Sequence, residues 1–141
     1  MAVFYQKIDI SFPKIKRRVF ARWIKKVIEK EGKNLGAITC IFCSDAEILR
    51  INRQYLKHDY YTDIITFDCT ENSIVSGDLF ISLDTVRFNS EKFKTEYEDE
   101  LRRVIIHGIL HLCGYNDLTK EQRVVMRMKE SESLAIWNNI I

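Results

Sequence analysis

The chain has 141 residues, 46% of them hydrophobic and 30% charged, with a formal net charge of +2. That length suits one domain with its own core and leaves no room for a second, and the composition excludes an extensively disordered chain. No apolar run approaches the ~20 residues of a membrane span, and the N-terminus lacks the features of a signal peptide, which points to a cytoplasmic protein whose cysteines are reduced.

Val3 to Ile10 places Phe4, Ile8 and Ile10 on one alternating face and predicts a first strand, ended by Ser11 and Pro13. Helical spacing follows: Val19, Phe20, Trp23, Ile24, Val27 and Ile28 form an apolar stripe, with Arg17, Arg18, Arg22, Lys25 and Lys26 on the remaining surface and Gly32 as a stop. Between Lys14 and Lys33 nine Lys or Arg stand against two Glu, so this segment carries +7 and the rest of the chain −5. Such a helix is either a solvated face or a contact for an acidic partner.

Ala37 to Cys43 is apolar on both faces apart from Thr39, as in an interior strand covered on both sides. Cys40 and Cys43 form a C-x-x-C, but residues three apart on a strand point to opposite faces, poor geometry for shared ligation. Cys69 and Cys113 read as small packing residues. Ser44-Asp-Ala-Glu47 is a capping box opening a second helix that ends near Tyr55, and Leu56 to Tyr61 is a loop. Thr62 to Cys69 alternates as a third strand. After seven mostly polar residues, Gly77 leads into a short fourth strand, Asp78 to Ser82, and Ser82 caps a helix running to Phe93. Thr95-Glu-Tyr-Glu98 is a second capping box, with Glu96, Glu98, Asp99 and Glu100 where a helix dipole favours negative charge. Thr119-Lys-Glu-Gln122 is a third, opening a final helix that presents Val124, Val125, Met128 and Ala135 before Trp137. The whole predicts a small mixed α/β layer structure.

The helix between the second and third boxes carries the chemistry. His107 and His111 are four residues apart and share a helix face, so both imidazoles reach one metal ion. Gly114 takes the left-handed conformation that ends a helix, and the chain folds back to bring Asp117 to the same point. Burying two polar rings in the apolar run from Val104 to Cys113 without strong partners costs ~1–3 kcal/mol each, which a shared metal removes. Three protein ligands with an open position favour a catalytic-type site, where a bound water becomes acidic, over a closed structural one. Zinc peptidases with H-E-x-x-H use the residue after the first histidine as general base. Here that residue is Gly108, which moves no proton, so peptide hydrolysis by that route is disfavoured; Gly108 suits close approach of another backbone instead.

His107-Gly-Ile-Leu-His111-Leu-Cys-Gly-Tyr115, with a ligand-type residue six places after the second histidine, resembles the signature of the YbeY family of bacterial metal-dependent endoribonucleases. The resemblance extends to Asn52-Arg-Gln-Tyr55, to Asp59 followed by Thr62-Asp-Ile-Ile-Thr-Phe67, and to Gly77-Asp-Leu-Phe-Ile-Ser82. It implies a single α+β domain over the whole chain, zincin-like, with about five helices covering a four-stranded mixed sheet whose antiparallel edge strand, Asp63 to Phe67, lines the cleft. It implies one Zn²⁺ on His107, His111 and Asp117, no organic cofactor, and cleavage of single-stranded RNA in 16S rRNA 3′-end maturation and ribosome quality control, with ribosomal RNA and the small ribosomal subunit as partners. Two rivals stay open: a non-catalytic ribosome assembly factor with a structural metal, and a metal-dependent hydrolase of another substrate.

Three positions depart from the family pattern. The third ligand is Asp117 where the family has His, after Asn116 where it has Asp; a carboxylate oxygen still binds zinc, at about 2.0–2.2 Å. Leu56 stands where the family has an Arg thought to act on the RNA phosphate, so Arg53, Lys57 or His58 is the candidate for the cation that a phosphoryl transition state needs.

Overall fold

In the computed structural model, which describes residues 2–56 and 62–140, the elements follow one another in the predicted order. They are β1 (Ala2–Ile8), α1 (Arg17–Lys30), β2 (Asn34–Cys43), α2 (Asp45–Ile51), β3 (Ile64–Asp68), β4 (Ile74–Ser82), α3 (Leu83–Phe93), α4 (Tyr97–Leu112) and α5 (Lys120–Ile140). The sheet order is β1-β2-β4-β3, with β1 parallel to β2, β2 parallel to β4, and β3 antiparallel at the edge. This is the single-domain α+β fold with an antiparallel edge strand that the resemblance implies.

The two faces of the sheet carry separate cores, sorted by the period-two alternation of strands. Ile38, Cys40, Phe42, Leu79 and Ile81 pack with α1, α4 and α5, whereas Cys43, Ile65 and Phe80 pack with Ile48 and Ile51 of α2. Cys40 and Cys43 therefore lie in different cores, both as free thiols, as their spacing on a strand requires. On the larger face Trp23 meets Phe20 and Trp137 edge to face, and its Nε1 donates to the Ser133 carbonyl at 2.6 Å, tying α1 to α5.

Several expectations are corrected. The inward face of β1 is Val3 and Tyr5, not Phe4 and Ile8, while Ile10 packs on the larger core from beyond the strand: the second core covers only β3, β4 and the end of β2, so Phe4 is left exposed. The strand stops at Ile8 because Asp9 takes a left-handed turn at φ 59°. β4 begins at Ile74, inside the stretch read as polar linker, because Ile74 to Ser76 already pair with β2 or with the turn after β3. Cys69 is exposed beyond the end of β3 and packs into neither core. α2 continues after Ile51 as a π-helical turn, Asn52–Leu56.

The helix starts divide. Ser44 and Ser82 accept from the backbone N–H of Glu47 and Thr85, each at 3.2 Å, and Thr119 and Gln122 form a reciprocal box at 3.1 and 3.0 Å. The box expected at Thr95 does not form. Lys94 ends α3 in the left-handed conformation, and the Thr95 N–H is spent on the Ser90 carbonyl at 2.9 Å, so α4 is capped one residue later at Glu96, without a side-chain bond. Glu98, Asp99 and Glu100 still complement its dipole.

α5 turns a different face inward from the one its apolar residues predict. Val124, Val125 and Met128 are exposed, while Met126, Glu130, Ser133 and Trp137 are buried. Those four recur at spacings of four, three and four, a true helical stripe with a carboxylate in it. That face meets α1 through Trp137, which packs on Phe20 and Trp23, and α4 through Glu130.

Candidate metal centre

α4 is seated on the sheet at Gly108. A Cβ there would lie 2.6 Å from Ile64 Cδ1 and 3.0 Å from Leu79 Cδ2, so the glycine admits side chains of β3 and β4, rather than another backbone, against the helix. That contact places His107 and His111 beside the antiparallel edge strand. Gly114 then ends the helix at φ 106°, with the Tyr115 N–H donating to the Leu110 carbonyl at 3.0 Å. The turn aims the Tyr115 carbonyl back at His111 and carries Asp117 round to both rings.

His107 Nε2 and His111 Nε2 are 3.0 Å apart, and Asp117 Oδ2 lies 3.2 Å from the first and 3.5 Å from the second. A tetrahedral ion with bonds of about 2.0–2.1 Å has ligand-to-ligand edges of about 3.3 Å, so the three atoms have the span such an ion requires. Among the described residues this is the one group of three such side chains able to hold a metal ion.

The donor accounting points the same way. His107 Nδ1 is 2.6 Å from Glu130 Oε2, and His111 Nδ1 is 2.8 Å from the Tyr115 carbonyl oxygen. Both partners accept only, so both Nδ1 atoms carry protons and donate. In the neutral rings each Nε2 is then a bare lone pair, and two lone pairs face each other and a carboxylate oxygen. Only a positive charge among them, a metal ion or an added proton, relieves that arrangement.

Glu130 is the residue of this centre that the sequence reading missed. The residue is 5% exposed, and its carboxylate also accepts from Arg103 Nη1 at 2.9 Å, so it joins α5 to two successive turns of α4. Burial pushes its pKa up, but the hydrogen bonds and charges of His107 and Arg103 outweigh that and hold it below the ordinary 4.5. For His107, burial pushes the pKa down, and the Glu130 hydrogen bond and charge with the Asp117 and Asp63 carboxylates raise it above 6.5. Burial raises Asp63 itself. Arg103 was legible in principle, since it precedes His107 by four residues and shares its face.

Of the candidate cations, Arg53 is exposed on the π-helical turn, whose Tyr55 ring packs on Phe67 at the second core. Lys57 and His58, like Asp59 and most of the predicted Leu56 to Tyr61 loop, lie outside the described residues. The basic residues of α1 from Arg17 to Lys30 are exposed, as expected for either reading of that helix. Its end is fastened to the histidine turn through Glu31, which accepts from the Tyr115 hydroxyl and from Lys129 Nζ. No helix among the described residues is long and apolar enough to cross a membrane.

Comparison with known proteins agrees with this architecture. The family model described as endoribonuclease YbeY matches residues 5–138. The endoribonuclease YbeY of Parabacteroides distasonis is 59% identical over 136 residues, covering 96% of this chain and 96% of that protein. The protein of the same name from Bacteroides thetaiotaomicron is 57% identical, covering 96% and 99%. The solution structure of TM1509 from Thermotoga maritima superposes with a TM-score of 0.72 at 25% identity, covering 97% of this chain and 90% of that one.

Proposed function

The chain belongs to the endoribonuclease YbeY family, and on that premise we propose that it is a zinc-dependent endoribonuclease of single-stranded RNA, one domain over residues 1–141. Its setting is the cytoplasm, its substrate ribosomal RNA and its partner the small ribosomal subunit, in 16S rRNA 3′-end maturation and ribosome quality control. The observation that carries the reading is the triangle of two Nε2 lone pairs and one carboxylate oxygen with edges of 3.0, 3.2 and 3.5 Å.

In this account His107, His111 and Asp117 hold one Zn²⁺, which when bound supplies Lewis acidity to a phosphoryl oxygen and makes a coordinated water acidic near neutral pH. The chain's own residues do the rest. Glu130 and the Tyr115 carbonyl fix the two imidazoles in the tautomer that presents Nε2. Gly108 leaves the position after the first histidine without a proton carrier, which separates this site from peptidases of the same spacing. The exposed basic face of α1 offers backbone phosphates a sequence-independent track, with affinity falling as salt rises. The cation for the scissile phosphate comes from Arg53, Lys57 or His58, with Arg103 a further candidate because it stands one turn from His107.

Leu56, in the place of the family's arginine, favours a second reading: an assembly factor that binds the ribosome and cleaves nothing. Mapping ribosomal RNA 3′ ends in cells with wild-type protein or His111→Ala separates the two. Unprocessed ends in the variant support the enzyme, and identical processing refutes it. Incubating purified protein with single-stranded RNA and with unfolded protein, each with and without chelator, sets apart a hydrolase of another substrate.

A further inference from the structure

α3 ends on Phe93, a residue 60% exposed. It lines a cavity of about 500 Å³ that also reaches Glu130 and His107 but neither His111 nor Asp117, so the cavity adjoins the proposed metal centre where Glu130 meets His107. Single exposed aromatic rings are common on protein surfaces and call for no explanation. This one differs in its company. Asn89, one turn earlier on α3, lines the same cavity with an amide that both donates and accepts. Asp63 and Glu100 line it with acceptors and Arg127 with a cation, beside Arg103 and Glu130, which are paired with each other.

That mixture narrows the occupant. A purely apolar ligand would strip water from the carboxylates and guanidinium groups and return no hydrogen bonds. A bare phosphate held deep in the cavity would meet Asp63 and Glu100. A nucleobase answers both conditions, since it has a flat face to stack on an aromatic ring and N–H groups for carboxylate and amide acceptors. Its attached phosphates need not enter, and so stay clear of the carboxylates. The volume lies within the range of small-molecule sites.

We propose that this cavity is a nucleobase subsite, in which one unstacked base of a single-stranded RNA lies on Phe93, with Asn89 and the carboxylates of Asp63 and Glu100 at its edge. The inference rests on the endoribonuclease reading above. It also gives that reading a physical source of single-strand preference. A base in a duplex has both faces covered by its neighbours and its edge by its partner, so it enters such a cavity only after unpairing.

The test is equilibrium binding, so it does not depend on cleavage. A fluorescent single-stranded oligoribonucleotide, 2′-O-methylated and checked for integrity afterwards, is titrated into Zn²⁺-loaded wild type, Phe93→Ala, Phe93→Leu, Phe93→Trp and Phe88→Ala. Stacking on an aromatic ring predicts about tenfold weaker binding for Phe93→Ala and Phe93→Leu, and near wild-type binding for Phe93→Trp. Phe88 is 62% exposed on the same helix and does not line the cavity, so Phe88→Ala binds as wild type. The duplex of the same sequence binds more weakly and is indifferent to Phe93→Ala. Equal binding by wild type and Phe93→Ala, or equal weakening in Phe93→Leu and Phe93→Trp, overturns the subsite and leaves the endoribonuclease reading standing. A wild type that binds no single-stranded RNA overturns both.

Discussion

Glu130→Gln removes one charge from the buried group on which His107 and Arg103 both depend. Glu130 Oε2 sits 2.6 Å from His107 Nδ1, and Oε1 sits 2.9 Å from Arg103 Nη1. Glutamine fills the same space but accepts on one side only. With its carbonyl towards His107, its NH₂ faces the guanidinium, donor against donor, and Arg103, whose side chain is 32% exposed, turns to water. His107 keeps its tautomer but exchanges a charge-assisted hydrogen bond for a neutral one, roughly half as strong, and Nε2 becomes a poorer ligand. Partners of this kind contribute about 10–100-fold in metal affinity, or ~1.4–2.7 kcal/mol. Glu130→Ala is harsher, because it leaves both partners without an acceptor. Breaking a buried pair costs ~3–5 kcal/mol, and with Arg103 able to recover water the value expected is near ~3 kcal/mol. Competition with a chromophoric chelator for Zn²⁺ at neutral pH measures the first effect, and urea unfolding of the chelated proteins the second. Wild-type affinity in Glu130→Gln together with an unshifted urea midpoint in Glu130→Ala would refute the argument.

The same pair sets a pH dependence. In the chelated protein the raised pKa of His107 contributes stability that is full below 6.5 and lost as pH rises through its folded value. The lowered pKa of Glu130 contributes stability that is full above 4.5 and lost as pH falls through its folded value. Urea midpoints should therefore be highest between these limits, and the decline above 6.5 should shrink in Glu130→Gln. Zinc affinity should instead weaken as pH falls through the His107 range, because a proton must leave before the metal binds; calorimetry in buffers of different ionisation enthalpy detects its release. Gly108→Ala drives a Cβ to 2.6 Å from Ile64 Cδ1, and overpacking of this kind should lower stability by ~1–3 kcal/mol in urea unfolding. Asp117→His should retain one zinc per chain and Asp117→Ala should lose it on dialysis, read by elemental analysis.

The part of the site carried by one helix was legible, because four-residue spacing on an α-helix fixes which side chains meet whatever packs around them. Asp117 followed from Gly114, a residue whose left-handed φ is a local property. Glu130 was not legible, because it arrives from another helix, and nothing local distinguishes a carboxylate that faces a histidine from one that faces water. Its stripe with Met126, Ser133 and Trp137 competed with the more apolar Val124, Val125 and Met128, and hydrophobicity alone chose the wrong face. The mixed four-stranded sheet and the edge position of β3 came from the resemblance, while the start of β4 at Ile74 depends on pairing with β2 that the polar residues around it conceal. The cap of α4 was displaced from Thr95 by the end of the preceding helix, a competition between neighbours for one N–H.

The central claim, that His107, His111 and Asp117 hold the metal that cleaves RNA, is tested most directly by stripping the purified protein and returning Zn²⁺ in steps while following cleavage of a single-stranded RNA. The account predicts no cleavage in the stripped protein, activity that rises linearly and levels at one ion per chain, and none at any loading in His111→Ala. Cleavage that survives stripping, or that His111→Ala retains, would contradict it.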